Sequence, residues 1–253
     1  MFKILARGNW PAGAVRVEWI DSTRPSIPEV ERAIERAWSD ATAATARPSS
    51  MLLFDGPMCR LESFDARPDA LRLVLSRTSY KAFFGTNMSN PALADRYGAG
   101  ALANPVGLST ALVSSDGCFL LGRRNASVAY YPNRLHPFAG ALEPRDDVDV
   151  FEGIRRELRE ELSLSSDEVM DLRCIGLVQD DTLRQPEIIF SARAARTRHQ
   201  MESSVDPKEH LDLWSVHATP DALSAAITEP QHFTPVALAT IELWRSATES
   251  ANP

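Results

Sequence analysis

The chain has 253 residues, of which 44% are hydrophobic and 24% are charged, and its formal net charge is -7 at pH 7. This composition is typical of a globular protein with one large or two modest domains, and the acidic balance disfavours a nucleic-acid partner, which needs basic patches. No apolar run approaches the roughly 18 residues of a membrane helix and the start lacks a signal-peptide core, so we expect a cytoplasmic protein without a membrane partner.

The first hundred residues contain two predicted strand pairs, each made of two apolar stretches around a turn. The first pair uses residues 2–7 and 15–20, with Gly13 in the turn. The second pair uses residues 58–65 and 70–77.

A helix is predicted between these strand pairs. It begins at Ser26-Ile-Pro-Glu29, where a serine cap, a proline in the first turn and an early acid occur together, and it runs to about Thr45, before the helix breaker Arg47-Pro-Ser-Ser50. A second, short helix is predicted around Ser79–Phe84. The segment Asn90–Pro105 is rich in Ala, Gly, Asn and Pro, which makes it the best linker candidate, and we place a domain boundary near residue 103.

The second half alternates strands and helices. A hairpin is predicted from residues 106–113 and 118–124 around Ser115-Asp116-Gly117. The later elements are, in chain order, a strand-like entry at 134–142, an acidic helix at about 148–162, strands at 172–178, 187–194 and 210–216, and helices at 219–228 and 235–247. This order predicts an α/β or α+β sandwich.

The predicted acidic helix carries Glu157, Glu160 and Glu161 within little more than one turn. Residues three and four apart on a helix are neighbours, and like charges at that spacing are destabilising unless they are offset. Glu157 and Glu161 border the apolar stripe, so we expect them to line a cleft and to ligate a hard divalent cation. Pairing with arginines of the same helix is the alternative, but each exposed pair contributes only about 0.3–0.5 kcal/mol.

The order Gly140-Ala-Leu-Glu-Pro-Arg145, then a helix with Arg156-Glu-Leu-Arg-Glu-Glu161, resembles the Nudix box of the Nudix hydrolases. The run from Arg156 to Glu161 matches the core of that motif completely. Two departures lie in its loops. Gly140 is two residues further from Arg156 than the pattern allows, and Ser163 stands where the pattern has a glycine, which adopts the left-handed conformation freely.

This resemblance implies an α/β/α sandwich and a bound Mg²⁺ or Mn²⁺. The implied metal ligands are Glu157, Glu161, Glu160 and the carbonyl of Gly140. Glu160 and Glu161 are also implied to serve catalysis, while Arg156 orients the carboxylates through charge-assisted hydrogen bonds. Glu187, at the start of a predicted strand, is the candidate for a further catalytic acid; an exposed loop acid is the alternative.

The front of the chain carries a narrower resemblance. The segments Leu53-Phe-Asp-Gly-Pro57, Thr78-Ser-Tyr-Lys-Ala-Phe-Phe-Gly-Thr-Asn87 and Asn104-Pro-Val-Gly107 resemble the Nudix branch that hydrolyses UDP-glucose and related UDP-sugars. This implies a small α/β domain at residues 1–103, which contributes to substrate binding, ahead of a Nudix domain at residues 104–253. The implied reaction is metal-dependent hydrolysis of UDP-glucose or UDP-galactose to UMP and sugar 1-phosphate.

Four residues are expected to bind this substrate. Tyr80 has a flat face for stacking on uracil, and Thr86 and Asn87 offer donors and acceptors to the base, ribose or phosphate. Arg124 could clamp a phosphate with its planar fork. The alternatives are core packing for Tyr80 and an exposed pair at a strand end for Arg124; for its neighbour Arg123 the exposed pair is preferred.

Other functions and smaller features stay open in the sequence. A Nudix hydrolase of another nucleoside diphosphate derivative, such as ADP-ribose, is one alternative, and a non-catalytic module that binds a nucleotide-sugar is another. The sequence indicates neither the preferred sugar nor the oligomeric state. The cysteines are predicted to be reduced and the histidines show no ligand spacing, with a structural part expected for His136; these residues are Cys59, Cys118, Cys174, His136, His199, His210, His217 and His232.

Overall fold

The structure is a computed structural model and describes residues 1–45 and 54–251. Its strands are β1 (Phe2–Trp10), β2 (Val15–Trp19), β3 (Pro57–Ala66), β4 (Leu71–Ser79), β5 (Gly107–Val113), β6 (Cys118–Arg124), β7 (Leu135–His136), β8 (Phe138–Ala141), β9 (Val169–Asp180), β10 (Pro186–Ala194) and β11 (His210–His217). Its α-helices are α1 (Pro28–Thr45), α2 (Tyr80–Phe83), α3 (Leu93–Tyr97), α4 (Val150–Leu162), α5 (Arg198–Glu202), α6 (Pro220–Ala226) and α7 (Pro235–Ala251).

An eight-stranded mixed sheet lies at the centre. Six strands follow the order β1-β9-β10-β5-β6-β11, while β7 pairs with β6 and β8 pairs with β5. Strands β10 and β5 run parallel and the other pairs of this sheet are antiparallel. The short strand β8 therefore places the predicted motif loop directly beside the middle of the sheet.

The large sheet is covered by a helix on each face. On one face, Leu108 of β5 belongs to the same buried cluster as Ile154 of α4. On the other face, Ala111 of β5 belongs to the same cluster as Ile241 of α7. Because successive strand residues point to opposite faces, a single strand serves both cores. The predicted α/β/α sandwich is confirmed.

A second, three-stranded sheet has the order β2-β4-β3. Strands β3 and β4 form the antiparallel pair predicted from the sequence, and β2 joins β4 in parallel. The inner face of β4 consists of Leu71, Leu73 and Leu75, which are fully buried in the cluster that also holds Ile154. This small sheet therefore packs against the body that carries α4.

The predicted pairing of the first two strands is wrong, although both strands exist. Strand β1 pairs with β9 in the large sheet, with Phe2 opposite Asp180, and β2 pairs with β4. A helical turn over Ala12–Ala14 separates the two strands, so the chain leaves one sheet and enters the other. Trp10, which is 1% exposed, anchors this crossing by donating its indole N–H to the carbonyl of Arg67 at 2.8 Å.

The segment Asn90–Pro105 is more structured than a linker. It contains α3 and a helical turn at Ala99–Ala101, and Leu102 and Ala103 are fully buried. The guanidinium of Arg60 donates to the carbonyl of Gly100 at 3.0 Å and to the carbonyl of Leu102. The division of the chain near residue 103 stays a prediction.

Most other predicted elements are present. Helix α1 spans Pro28–Thr45, as expected, whereas the predicted helix breaker Arg47-Pro-Ser-Ser50 lies outside the described residues, as does Leu53 of the resemblance to the UDP-sugar branch. The hairpin of β5 and β6 turns at Gly117, whose φ of 77° is in the left-handed region. Among the described helices, none has both the length and the apolar character needed to cross a membrane.

Candidate active site

Helix α4 is held rigidly at its start. The carboxylate of Asp149 caps the helix by accepting hydrogen bonds from the backbone N–H groups of Phe151 and Glu152, at 2.7 and 3.3 Å. The apolar stripe of the helix is buried, with Ile154 and Leu158 fully inaccessible. This packing fixes which way the acids between those residues point.

Ser163 ends α4 at the position where the motif has a glycine. Ser163 adopts the left-handed conformation, with φ of 55° and ψ of 28°. Its backbone N–H donates to the carbonyl of Arg159 at 2.9 Å, and the next residue, Leu164, is fully buried. The serine therefore takes the backbone geometry for which the family pattern uses glycine, at a conformational cost.

Glu157 lies directly over Gly140 of strand β8. A Cβ atom on Gly140 would stand only 2.1 Å from the carboxyl carbon of Glu157, so any larger residue there would displace this carboxylate. The carboxylate accepts a hydrogen bond from Arg156 at 2.8 Å. Burial raises the pKa of Glu157, and the bond from Arg156 opposes that rise.

Glu161, one turn further along α4, is 3% exposed. Its Oε2 accepts a hydrogen bond from the backbone N–H of Ala139 at 2.9 Å, and its Oε1 lies 3.1 Å from Nε2 of His210. Burial raises the pKa of Glu161 well above its usual range, and the nearby carboxylates of Glu209 and Glu157 add to that rise. A carboxyl group in these surroundings favours either a proton or a cation.

Glu209 and His210, at the start of β11, complete the cluster. One ligand atom from each of Glu161, Glu209 and His210 lies within 4.8 Å of the others. Burial lowers the pKa of His210 to about 4, so the ring is neutral near pH 7. Its Nδ1 has no hydrogen-bond partner among the described residues, so we assign the ring proton to Nε2, where Glu161 can accept it.

This donor set fits a divalent cation. Carboxylate oxygens of Glu157, Glu161 and Glu209 are the hard ligands that magnesium and manganese prefer, and a neutral imidazole can also bind manganese. Glu209 lies beside Glu161, and the charges of Glu157 and Glu209 both raise the pKa of Glu161. Of the three, Glu161 is buried, Glu157 is half-buried and Glu209 is exposed, and a cation would neutralise their crowded charges.

Glu209 and His210 are the two members of this cluster that sequence reasoning missed. No ligand spacing was visible because 49 positions separate His210 from Glu161. The residues meet because β11 pairs with β6, which places His210 opposite Arg124. Finding them required the strand order, which the sequence pattern alone does not provide.

The other acid of the motif, Glu160, points outward. Its side chain is 63% exposed, and its nearest charged partner is Arg156, at 3.8 Å. Arg156 itself bonds to Glu157 and lies 3.9 Å from Glu143. The structure thus brings Arg156 to the carboxylate that it was predicted to orient, but it leaves Glu160 outside the cluster.

Glu187 is buried at the start of β10 and is not an exposed loop acid. It is 6% exposed and accepts a hydrogen bond from the hydroxyl of Ser109. Burial raises its pKa to about 7; Asp180 adds to the rise and Arg124 opposes it. The carboxyl group can therefore exchange a proton near neutral pH.

The large sheet separates Glu187 from Glu157. Glu187 lies over Gly107, whereas Glu157 lies over Gly140, which is paired with Leu108. Neighbouring positions on a strand point to opposite faces, so the two carboxylates project from opposite sides of the sheet. The carboxylate of Glu187 therefore does not contact the acids of α4, and its predicted catalytic role has no support from such a contact.

Arg124 is paired with His210 across strands β6 and β11. Its guanidinium stacks on the ring of Tyr130 at 4.7 Å from the ring centroid, and its Nε donates to the carbonyl of Tyr130 at 3.1 Å. Its positive charge affects the pKa of both Glu187 and His210. The neighbouring Arg123 forms the exposed pair that was preferred for it, with Asp212 at 3.0 Å.

Thr86 and Asn87 are fully buried and bond to the backbone. The hydroxyl of Thr86 donates to the carbonyl of Ala82 at 2.6 Å, and the amide of Asn87 donates to the carbonyl of Leu183 at 2.9 Å. Asn87 Oδ1 also accepts from the backbone N–H of Asn104 at 3.1 Å. These contacts tie the front of the chain to the β9–β10 loop, so the predicted substrate contacts of both residues find no support in this geometry.

Tyr80 begins α2 within an aromatic cluster. Its ring centroid lies 6.2 Å from that of Trp38, 6.3 Å from that of Phe83 and 6.4 Å from that of Phe84. Burial raises the pKa of its hydroxyl. Packing of the aromatic side, which was the alternative interpretation, accounts for these contacts, and stacking on uracil stays a prediction.

His136 and the cysteines occupy structural positions. Nδ1 of His136, which is 4% exposed, lies 2.8 Å from the hydroxyl of Thr234. All three cysteines are free thiols; Cys59 and Cys174 are buried, and Cys118 is partly so. Burial raises the pKa of the thiols of Cys59 and Cys174 to about 12, which keeps them protonated.

Sequence comparison finds curated relatives that carry one name. The chain is 33% identical over 144 residues to mouse uridine diphosphate glucose pyrophosphatase NUDT22, and the match covers 52% of this chain and 45% of the mouse protein. It is 33% identical over 135 residues to the human protein of that name, covering 48% and 43% of the two chains. The resemblance to the Nudix UDP-sugar hydrolases is confirmed. The chain spans about half the length of the curated relatives it matches.

Comparison with solved structures gives distant similarities. The DR0079 protein of Deinococcus radiodurans matches with a TM-score of 0.42 at 23% identity, covering 56% of this chain and 82% of that one. A MutT protein from Methanosarcina mazei Go1 matches with a TM-score of 0.43 at 16% identity, covering 59% and 96%. A Nudix hydrolase from Nitrosomonas europaea matches with a TM-score of 0.41 at 16% identity, covering 56% and 89%. No protein-family profile matches the chain.

Proposed function

We propose that this chain is a metal-dependent hydrolase that cleaves the pyrophosphate of a UDP-sugar, such as UDP-glucose or UDP-galactose, to UMP and sugar 1-phosphate. The observation that carries the proposal is the meeting of Glu157, Glu161 and Glu209 beside Gly140 and His210. The name of the curated relatives supports the choice of substrate. We further propose that the protein acts in the cytoplasm.

Some residues would bind the cation directly, and others orient those ligands. Glu157, Glu161 and Glu209 would supply carboxylate oxygens, and the carbonyl of Gly140 is a further candidate ligand. Arg156 fixes Glu157, and the N–H of Ala139 together with His210 fixes both oxygens of Glu161. When bound, a divalent ion lowers the pKa of a coordinated water and offsets negative charge on phosphoryl oxygens.

The remaining predicted site residues have unequal support. Arg124 lies near Glu187 and His210, where its charge could meet a phosphate. Glu187 has a pKa suited to proton transfer near neutral pH, although it lies across the sheet from Glu157. Tyr80, Thr86 and Asn87 have packing or backbone contacts in place of free polar groups.

A substrate panel tests the proposal. The full chain would be incubated with UDP-glucose, UDP-galactose and ADP-ribose in the presence of Mg²⁺ or Mn²⁺, and the release of UMP and AMP would be measured. We expect UMP from the UDP-sugars, little AMP from ADP-ribose, and no product after chelation of the metal. Faster release of AMP would favour the ADP-ribose alternative. Tight binding of UDP-glucose without product over hours would favour the non-catalytic module.

A further inference from the structure

The inner face of the three-stranded sheet changes character at one end. Along β2, Val15 and Val17 pack against the core, and the next residue on that face is Trp19. Along β4, the buried leucines end at Leu75, which is paired with Trp19, and the next residue on that face is Arg77. Trp19 is 36% exposed and Arg77 is also exposed. The inner face of the small sheet therefore extends beyond the buried core at this end.

A groove of about 500 Å³ lies between this end of the sheet and the loop that precedes α4. Trp19 and Arg77 line one side, and Arg145, Asp146 and Asp147 line the other. A smaller hollow of about 310 Å³ shares Arg145 and Asp147 with the groove.

One residue of that smaller hollow contacts an acid of α4. Arg156 lines it, and the same guanidinium bonds to Glu157 at 2.8 Å. The groove and the smaller hollow are therefore neighbours, and the smaller hollow includes the arginine that contacts Glu157.

The polar groups of the groove are available to a ligand. No hydrogen bond or ion pair joins the side chains of Arg77, Asp146 or Asp147 to another residue within 1–45 and 54–251. All three are exposed, and they flank the exposed ring of Trp19. The groove thus offers an aromatic face, a cationic fork of donors and two carboxylate acceptors.

We propose that this groove binds the hexosyl ring of the nucleotide-sugar, an assignment that rests on the proposed function. The hydroxyl groups of a hexose both donate and accept, so they can bond to Asp146, Asp147 and Arg77 together. The C–H face of the ring can lie on Trp19. A diphosphate would be repelled by the two carboxylates, and uracil has only one N–H donor for two acids.

Inhibition by the two products reports separately on binding of the sugar and of the nucleoside end of the substrate. In Trp19→Ala, we expect the KM for UDP-glucose and the inhibition constant of glucose 1-phosphate each to rise about tenfold, which corresponds to about 1.4 kcal/mol. We expect kcat and the inhibition constant of UMP to change less than about twofold. In the proposed binding mode, neither the acids of α4 nor the nucleoside contacts the indole ring of Trp19. Asp147→Asn should show the same selectivity with a smaller rise.

Phe64→Ala is the matched control. Phe64 is an aromatic residue of the same small sheet, is 37% exposed, and does not line the groove. This variant should keep the wild-type KM and both inhibition constants. Equal changes in Phe64→Ala and Trp19→Ala would show a general effect on the sheet and would overturn the assignment.

The other outcomes are equally decisive. If Trp19→Ala weakens inhibition by UMP and leaves glucose 1-phosphate unchanged, the groove holds the nucleoside and the assignment is wrong. If neither constant changes while the wild type turns over UDP-glucose, the proposed function stands and the assignment fails. If the wild type shows no turnover, calorimetric binding of UDP-glucose to the wild type and Trp19→Ala replaces the kinetic test, and equal binding or no binding overturns the assignment.

Discussion

His210 Nε2 lies 3.1 Å from Oε1 of Glu161, although 49 positions separate the two residues in the chain. Because the N–H of Ala139 bonds to the other oxygen, the carboxylate has one orientation before any ion is bound. Metal sites depend on such supporting contacts, since they remove the cost of ordering a ligand when the ion arrives. The carboxylate that we propose as a metal ligand is therefore oriented by groups outside the motif that first indicated it.

Replacing Glu161 with Gln should remove catalysis. Gln has nearly the same shape and can keep a hydrogen bond to Ala139, but it lacks the negative charge that a divalent ion requires. We expect Glu161→Gln to lose metal-dependent turnover of UDP-glucose by at least about 100-fold, because even contacts that only support a ligand are worth about 10–100-fold. Steady-state kinetics measure the loss, and circular dichroism checks the fold.

Glu160→Gln is the control for that substitution. It removes the same charge one position earlier on the same helix, but the side chain of Glu160 is 63% exposed and lies outside the cluster. We expect its kcat to stay within about threefold of the wild type, as for loss of a weak surface pair. If the two variants lost activity equally, the geometry assigned to α4 would be wrong.

Loss of His210 should weaken metal binding. In His210→Ala, Glu161 loses the contact that fixes Oε1, so we expect the dissociation constant of Mn²⁺ to rise about 10–100-fold. The amide of His210→Gln can donate to the same oxygen and should recover part of the affinity, which a packing role would not. Titration followed by electron paramagnetic resonance measures both values. His232→Gln, at an exposed position, should bind the ion like the wild type; unchanged affinity in His210→Ala would contradict the role.

The buried Glu187 should make stability depend on pH. Its pKa is about 7 in the folded protein against an ordinary value of 4.5, so the folded state binds more protons between those values than the unfolded chain does. The stabilisation is fully present below pH 4.5 and is lost as pH rises through about 7, at up to about 1.4 kcal/mol per pH unit. Glu187→Gln cannot titrate, so its free energy of unfolding should decline less steeply over that range. Urea denaturation at several pH values measures the slope of the free energy of unfolding against pH. Equal slopes for the wild type and Glu187→Gln would contradict the prediction.

The end of α4 should be improved by glycine. Ser163 holds φ at 55°, a region that costs a residue with a Cβ about 1–2 kcal/mol. Ser163→Gly should therefore raise the free energy of unfolding by about 0.5–1 kcal/mol, after the greater freedom of glycine in the unfolded chain is subtracted. Ser163→Ala retains the Cβ and should give no gain. The urea midpoints of the two variants check this, and a gain with Ala would show that strain at Ser163 is not the cause.

The sequence predicted local structure well because local patterns determine it. The period of the apolar residues placed α4, and the turn residues placed the hairpin of β5 and β6. The pairing of β1 with β9 was missed because strand order depends on contacts far apart in the chain, which two apolar stretches near each other do not encode. The burial of Leu102 and Ala103 was missed for the same reason: a segment rich in small residues can be either exposed or packed.

The candidate site also contains residues that local sequence patterns predict and residues that they do not. Glu157, Glu161 and Arg156 share one helix, so their spacing showed that they could act together. Glu209 and His210 come from β11, and only the tertiary structure brings them to Glu161. Thr86 and Asn87 were expected to bind substrate because their side chains are polar, and in the structure these side chains bond to backbone groups. Chemical type alone does not tell whether a polar group faces a ligand or the protein interior.

The central claim is that the acids of α4 hold a divalent cation beside a diphosphate. A crystal of the full chain grown with Mn²⁺ and UDP tests this most directly through the anomalous signal of the metal. We expect a peak about 2.0–2.3 Å from carboxylate oxygens of both Glu157 and Glu161, with a phosphate oxygen of UDP among the remaining ligands. A structure in which UDP is bound, but in which neither carboxylate coordinates an ion, would contradict the account.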